Sequence, residues 1–130
     1  MFATEFGANT WDELNVIEPG ANYGWPEVEG AAERDEIVDP VQQWETSEAS
    51  PSGMSRVGDT LYIANLRGRV LRAVPVNSPD TSTDYFQDAY GRLRDAVPGP
   101  NGTLWLLTNN TDGRGQPQDG DDRLLEVELP

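Results

Sequence analysis

The sequence contains no cysteine, no histidine and no lysine. Without cysteine there are no disulfides, no thiolate nucleophile and no thiolate-bound zinc. Without histidine the commonest general base and metal ligand is missing. All nine basic residues are arginine, set against 23 Asp and Glu, for a formal net charge of −14. A chain of that charge repels phosphate backbones and anionic lipid, which argues against non-specific nucleic-acid binding and disfavours anionic lipid surfaces. No apolar run approaches the roughly 20 residues of a bilayer-spanning helix. Met1 leads straight into Phe2-Ala3-Thr4-Glu5-Phe6, where no signal-peptide pattern is read. The acidity itself reads as solubility or adaptation to a salty medium, and it leaves room for carboxylates that hold a hard cation.

What is present suits one small domain of 130 residues, or a piece of a larger one. Four Trp, four Tyr and three Phe argue for packed structure, while 13 Gly and 10 Pro cut the chain into short segments. The clear elements are strands. Thr60–Asn65 is β-branched and aromatic and follows the turn pair Gly58-Asp59. Arg69–Val76 follows Arg67-Gly68, and Thr103–Thr108 follows the hairpin pair Asn101-Gly102. In Leu124–Leu129 the alternation turns Leu125, Val127 and Leu129 inward and Glu126 and Glu128 outward. The window Asp84–Val97 reads as strand-turn-strand around Gly91. The expected core is Leu61, Ile63, Val70, Leu71, Val74, Leu104, Leu106, Leu125 and Val127.

These strands repeat. Leu61–Asn65 with Val70–Val74, Leu104–Thr108 with Leu124–Val127, and Met1–Glu5 with Leu14–Ile17 are three copies of one strand–link–strand unit. Repeats of roughly forty residues, each a small antiparallel sheet, mark a β-propeller. The longer step from the Met1 copy to the Leu61 copy points to a loop insertion over residues 19–39. The chain supplies two repeats and half of another, so its ring cannot close, and blade faces and sheet edges are left bare. The expectation is an all-β partial propeller of about two and a half blades, forming over residues 1–130 the C-terminal portion of a single propeller domain.

Several motifs carry a resemblance. Glu5-Phe-Gly-Ala-Asn-Thr-Trp-Asp-Glu-Leu-Asn15 followed by Pro19-Gly-Ala-Asn-Tyr-Gly-Trp-Pro26 is the most specific. Ala49-Ser-Pro-Ser-Gly53, Leu61–Gly68, Gly91-Arg-Leu-Arg-Asp95, Pro100–Thr108 and Asp121-Asp-Arg-Leu-Leu125 occur after it in order. Together they resemble the soluble pyrroloquinoline-quinone (PQQ) dependent glucose/sorbosone dehydrogenases. The resemblance implies a six-bladed propeller, periplasmic or secreted, that oxidises aldose sugars with PQQ as electron acceptor and calcium as activating ion.

It also implies roles for residues. Arg92 and Arg94 match cofactor-contacting arginines; alternate strand residues share a face, and a guanidinium fork fits the carboxylates of PQQ. Without the resemblance the same pair reads as a surface ion pair. Arg67, in the turn after a strand, matches a basic residue near the quinone, with a plain turn at Gly68 as the alternative. Gly7 and Ala8 match two residues whose backbone carbonyls hold calcium; Ala8 replaces the usual proline, and Phe6 replaces a polar side chain. Asp12, Glu13, Tyr23 and Glu33 match a second oxygen-rich calcium group, with core aromatics and a capped turn as the alternative. The loop 109–122, with Asp112, Asp119, Asp121 and Asp122, lacks the spacing of an EF-hand and reads as solvated. Asn101-Gly-Thr and Asn109-Asn-Thr fit glycosylation sequons but are explained by turn chemistry.

The family's proton acceptor is a histidine, which would lie upstream. No catalytic residue is therefore assigned, and the chain alone is expected to be inactive. The partners implied are a small sugar and the rest of the propeller. The alternative function is a non-catalytic propeller segment that binds sugar or calcium. A carboxylate-pair glycosidase is set aside, because acidic pairs recur along the whole chain without a defining motif.

Overall fold

The computed structural model describes residues 1–129. It is all-β, with three antiparallel sheets in chain order. The first sheet pairs β1 (Phe2–Glu5), β2 (Trp11–Val16) and β3 (Gln42–Glu45), with Phe2 opposite Val16 and Asp12 opposite Trp44. The second runs β4 (Pro51–Val57), β5 (Thr60–Asn65), β6 (Val70–Pro75), β7 (Thr83–Tyr85). The third pairs β8 (Leu93–Pro98), β9 (Thr103–Thr108) and β10 (Leu124–Glu128). Its first hairpin turns through a short 3₁₀ segment at Pro100–Gly102, where Asn101 takes the left-handed φ of 54° that asparagine tolerates.

The middle sheet is packed on both faces, which explains its unbroken apolar runs. Along β5, Leu61 and Ile63 join Leu14 and Val74 in one core toward the first sheet. Tyr62 and Ala64 point the other way, joining Leu71, Ala73, Leu93, Ala96, Leu104 and Leu106 in a second core toward the third sheet. Of the expected core, the seven residues on β5, β6 and β9 are buried, and Leu125 and Val127 are part-buried against the second core. This serial stacking is that of successive blades, and the chain is a partial β-propeller. The far face of the third sheet leaves Val97, Trp105, Leu107 and Leu124 exposed, as a blade without its next neighbour would.

Two details fix how the sheets meet. Both β4 and β8 are irregular near their first residues, between Pro51 and Met54 and between Leu93 and Asp95. They approach there so closely that a Cβ on Gly53 would collide with the Asp95 carboxylate. Arg72 is buried between the first two sheets, with its guanidinium 4.6 Å from the Trp44 ring centre and held by Asp84 at 2.7 and 3.0 Å. The Trp44 contact links neighbouring blades, while Asp84, on the same sheet as Arg72, keeps the buried guanidinium paired.

Candidate functional site

Antiparallel strands put alternate connections at opposite ends of a sheet. The loops 6–10, 46–50, 66–69, 86–92 and 109–123 fall at one end, and hydrogen bonds tie them into one rim. Gly7 and Ser50 amides donate to the two oxygens of buried Asp12, at 2.9 and 2.6 Å. The Leu66 and Gly68 amides donate to the Ser50 and Ala49 carbonyls. The Asp88 amide donates to the Arg69 carbonyl, and the Asn109 amide to that of Arg92.

Between these loops lies a cavity of about 550 Å³. Arg67, Arg69, Arg92, Arg114 and Arg123 line it, five of only nine arginines in a chain of charge −14. That concentration against the overall charge points to an anionic occupant. Arg69, Arg92 and Arg123 are paired with Asp88 (2.8 Å), Asp112 (2.9 Å) and Asp121 (3.1 Å). Among the described residues Arg67 and Arg114 have no carboxylate within 4.0 Å, so their charge is free for a ligand.

The cavity thus brings together two of the expected cofactor residues, Arg67 and Arg92, and not the third. Arg92 lies just before β8 and turns to Asp112, while Arg94 is exposed and outside the lining. The reason is the irregularity at Leu93–Asp95, which breaks strict alternation and separates the two side chains.

The loop 109–123 is more than a solvated connection. Buried Asn110 accepts from the Arg92 amide at 2.8 Å and donates to the Tyr90 carbonyl at 2.9 Å and to Asp121 at 3.1 Å. A Cβ on Gly91 would overlap the Asn110 side-chain oxygen, so only glycine fits there. The Arg114 amide and the Arg92 guanidinium hold Asp112 below the usual carboxylate range. The Gln118 amide, with Arg123 and Asn110, does the same for Asp121. Asp122 is lowered by the Thr111 hydroxyl and the Asn110 amide. Carboxyls depressed on folding stabilise fully above their unfolded value, and that support is lost as pH falls through the folded values. Acidification below about pH 4 is therefore expected to release this loop first. By NMR, the Asn110, Thr111, Arg114 and Gln118 amide signals should move before those of β5 and β6. Simultaneous loss of all signals would contradict this.

The expected calcium residues fall in different places. Gly7 and Ala8 sit on the rim in the β1–β2 loop. A Cβ on Gly7 would overlap the Trp11 carbonyl oxygen, so the loop closes only on glycine. Asp12, Glu13, Tyr23 and Glu33 do not form one cluster. Asp12 and Glu13 are adjacent on β2 and face opposite ways. Asp12 binds rim amides, while Glu13 accepts from the Gly30 amide and from Asn15. The Tyr23 hydroxyl donates to the Val16 carbonyl and accepts from the Glu18 amide, at the far end of β2. Glu33 is exposed. Among the described residues no three acidic side chains converge as a metal site.

Asn110, Arg69, Arg114 and Arg123 are site residues that the sequence did not single out. Only the charge contrast of arginines in an acidic chain could have hinted at the last three.

Known proteins share this outline. The family model described as Glucose / Sorbosone dehydrogenase matches residues 1–119. The structure of the PQQ-bound form of aldose sugar dehydrogenase from Streptomyces coelicolor is 48% identical, with a TM-score of 0.90 over 98% of this chain and 39% of that one. A putative oxidoreductase (glucose dehydrogenase) from Thermus thermophilus is 33% identical, with a TM-score of 0.81 over 97% of this chain and 40% of that one. Aldose sugar dehydrogenase YliI of Escherichia coli is 29% identical over 87% of this chain and 36% of its own length. The chain therefore spans well under half the length of these relatives.

Proposed function

Because the chain belongs to the glucose/sorbosone dehydrogenase family, we propose that it supplies part of the cofactor floor of a PQQ-dependent sugar dehydrogenase that acts on aldoses outside the cytoplasm. The observation that carries this reading is the arginine-lined cavity on an otherwise acidic protein. When bound, PQQ supplies a quinone that accepts hydride as the aldose is oxidised to its lactone.

The chain's own residues bind and orient. Arg67 offers an unpaired guanidinium fork to a cofactor carboxylate. Arg92 is fixed by Asp112 and Asn110, so its position is set before any ligand arrives. Arg94, exposed on edge strand β8, lies outside the cavity lining and would meet the cofactor only where it extends beyond the cavity. The Gly7 and Ala8 carbonyls are hard oxygen donors of the kind calcium takes, and they would supply two of its roughly six to eight ligands. Their fit is supported by the glycine-only closure of the loop.

The intact protein is expected to bind PQQ in a calcium-dependent way and then to reduce an artificial dye with glucose or another aldose. Absence of PQQ binding at saturating calcium would sink the reading. PQQ binding without aldose-dependent dye reduction would leave only a cofactor-binding or sugar-binding segment.

A further inference from the structure

The β1–β2 loop is organised by a side chain that lies far from it in sequence. Glu29 accepts from the Asn9 amide at 3.0 and 3.2 Å, from Thr10 at 2.6 Å and from Trp11 at 3.2 Å. These amide bonds draw Glu29 below the ordinary carboxylate range, Thr10 contributing most.

Peptide planarity converts this into a statement about carbonyls. In a trans peptide the N–H and the preceding C=O point in opposite directions, and every peptide of this loop is trans. The Asn9 amide, turned toward Glu29, therefore turns the Ala8 carbonyl, next to that of Gly7, away from it. The next two carbonyls are used by the neighbouring loop. Asn9 accepts from the Thr46 hydroxyl at 3.5 Å, and Thr10 accepts from the Thr46 amide at 3.1 Å. Among the described residues, the Gly7 and Ala8 carbonyls accept no hydrogen bond from these loops. Two adjacent carbonyl oxygens left without a hydrogen-bond donor, beside carbonyls that the neighbouring loop uses, suit a cation.

We propose that Glu29 is the positioning residue of this cation site. Its carboxylate gathers the loop amides so that the Gly7 and Ala8 carbonyls present a fixed oxygen pair to calcium. The inference rests on the reading that these carbonyls take calcium, and it adds the group that orients them. Glu29 does not touch the ion.

The test is a calorimetric titration of calcium into the intact protein saturated with PQQ, comparing Glu29→Gln with Glu27→Gln. Glu27 is a close control, because it carries the same charge two residues away and pairs only with exposed Arg34. Loss of an outer-shell partner typically weakens metal binding by about ten- to hundredfold. Glu29→Gln should show a loss of that size, while Glu27→Gln should bind as the unaltered protein does. Thermal melting in excess chelator separates a folding defect from a site defect. A lowered melting temperature with unchanged calcium affinity would make Glu29 a structural brace only and overturn the proposal. Equal weakening in both variants would reduce it to bulk charge and overturn it as well. If Glu29→Gln does not fold, Glu29→Asp, which keeps the charge but falls short of the amides, is read in the same way. If the unaltered protein binds no calcium, the cation reading itself fails, and the role of Glu29 with it.

Discussion

Arg67→Ala in the intact protein is expected to weaken PQQ binding by about ten- to hundredfold, the worth of one lost charge-assisted contact of about 1.5–3 kcal/mol. The position is suited to the test because its backbone does not depend on its side chain. On one side Leu66 is buried, with its amide bonded to the Ser50 carbonyl. On the other, Gly68 donates to Ala49 at 2.9 Å, and a Cβ there would overlap the Glu48 carbonyl oxygen. The turn is thus held from both flanks, and truncating the exposed arginine between them leaves it in place. Arg92 would be a poorer probe, since its loss also strips Asp112 of its partner. Arg67→Lys should recover only part of the affinity, because an ammonium cannot form the bidentate contact. The measurement is a PQQ titration of the apoprotein at fixed, saturating calcium. Unchanged affinity in Arg67→Ala would remove this residue from the cofactor site.

How far the fold could be read in advance depended on where the apolar residues lie. Thr60–Asn65 and Thr103–Thr108 were legible to the residue, because each is a concentrated apolar segment that starts just after a turn pair. The window 84–97 also resolved as expected, into the end of β7, a turn and most of β8. β3 and β4 were not legible. Gln42–Glu45 and Pro51–Val57 are polar, and they become strands through pairing with β2 and β5 rather than through their own pattern. The site divides in the same way. Arg67 and Arg92 carried a local motif. Glu29 and Asn110 act across gaps of 18 to 20 residues, through side-chain bonds to loop backbone. No period or motif in a single sequence announces such bonds. The separation of Arg92 from Arg94 was hidden for a related reason: an interrupted ladder register is a property of two strands, not of one.

The 130 residues expressed on their own are expected to show no measurable aldose oxidation with PQQ and calcium, against robust turnover by the intact protein. Sugar oxidation needs a group that takes the hydroxyl proton as hydride leaves, and its affinity for that proton must be matched to neutral pH. Histidine, cysteine and lysine are all missing. That leaves carboxylates, and those around the cavity are poorly suited. Asp112 and Asp121 are engaged with Arg92 and Arg123, and both are held below the ordinary carboxylate range together with Asp122. Lowering a carboxylate's proton affinity makes it a weaker base, the opposite of what the step requires. Asp88 is bound to Arg69. Glu5, whose proton affinity burial and the neighbouring Glu13 do raise, lies on β1 and is not part of the cavity lining. Of the carboxylates around the cavity, none is thus placed or tuned to act as the base. A dye-reduction assay on the purified chain, with PQQ binding measured in parallel, checks both halves. Turnover above the PQQ-only background would mean that one of these carboxylates serves as the proton acceptor, and the division between a floor in this chain and a base elsewhere would be wrong.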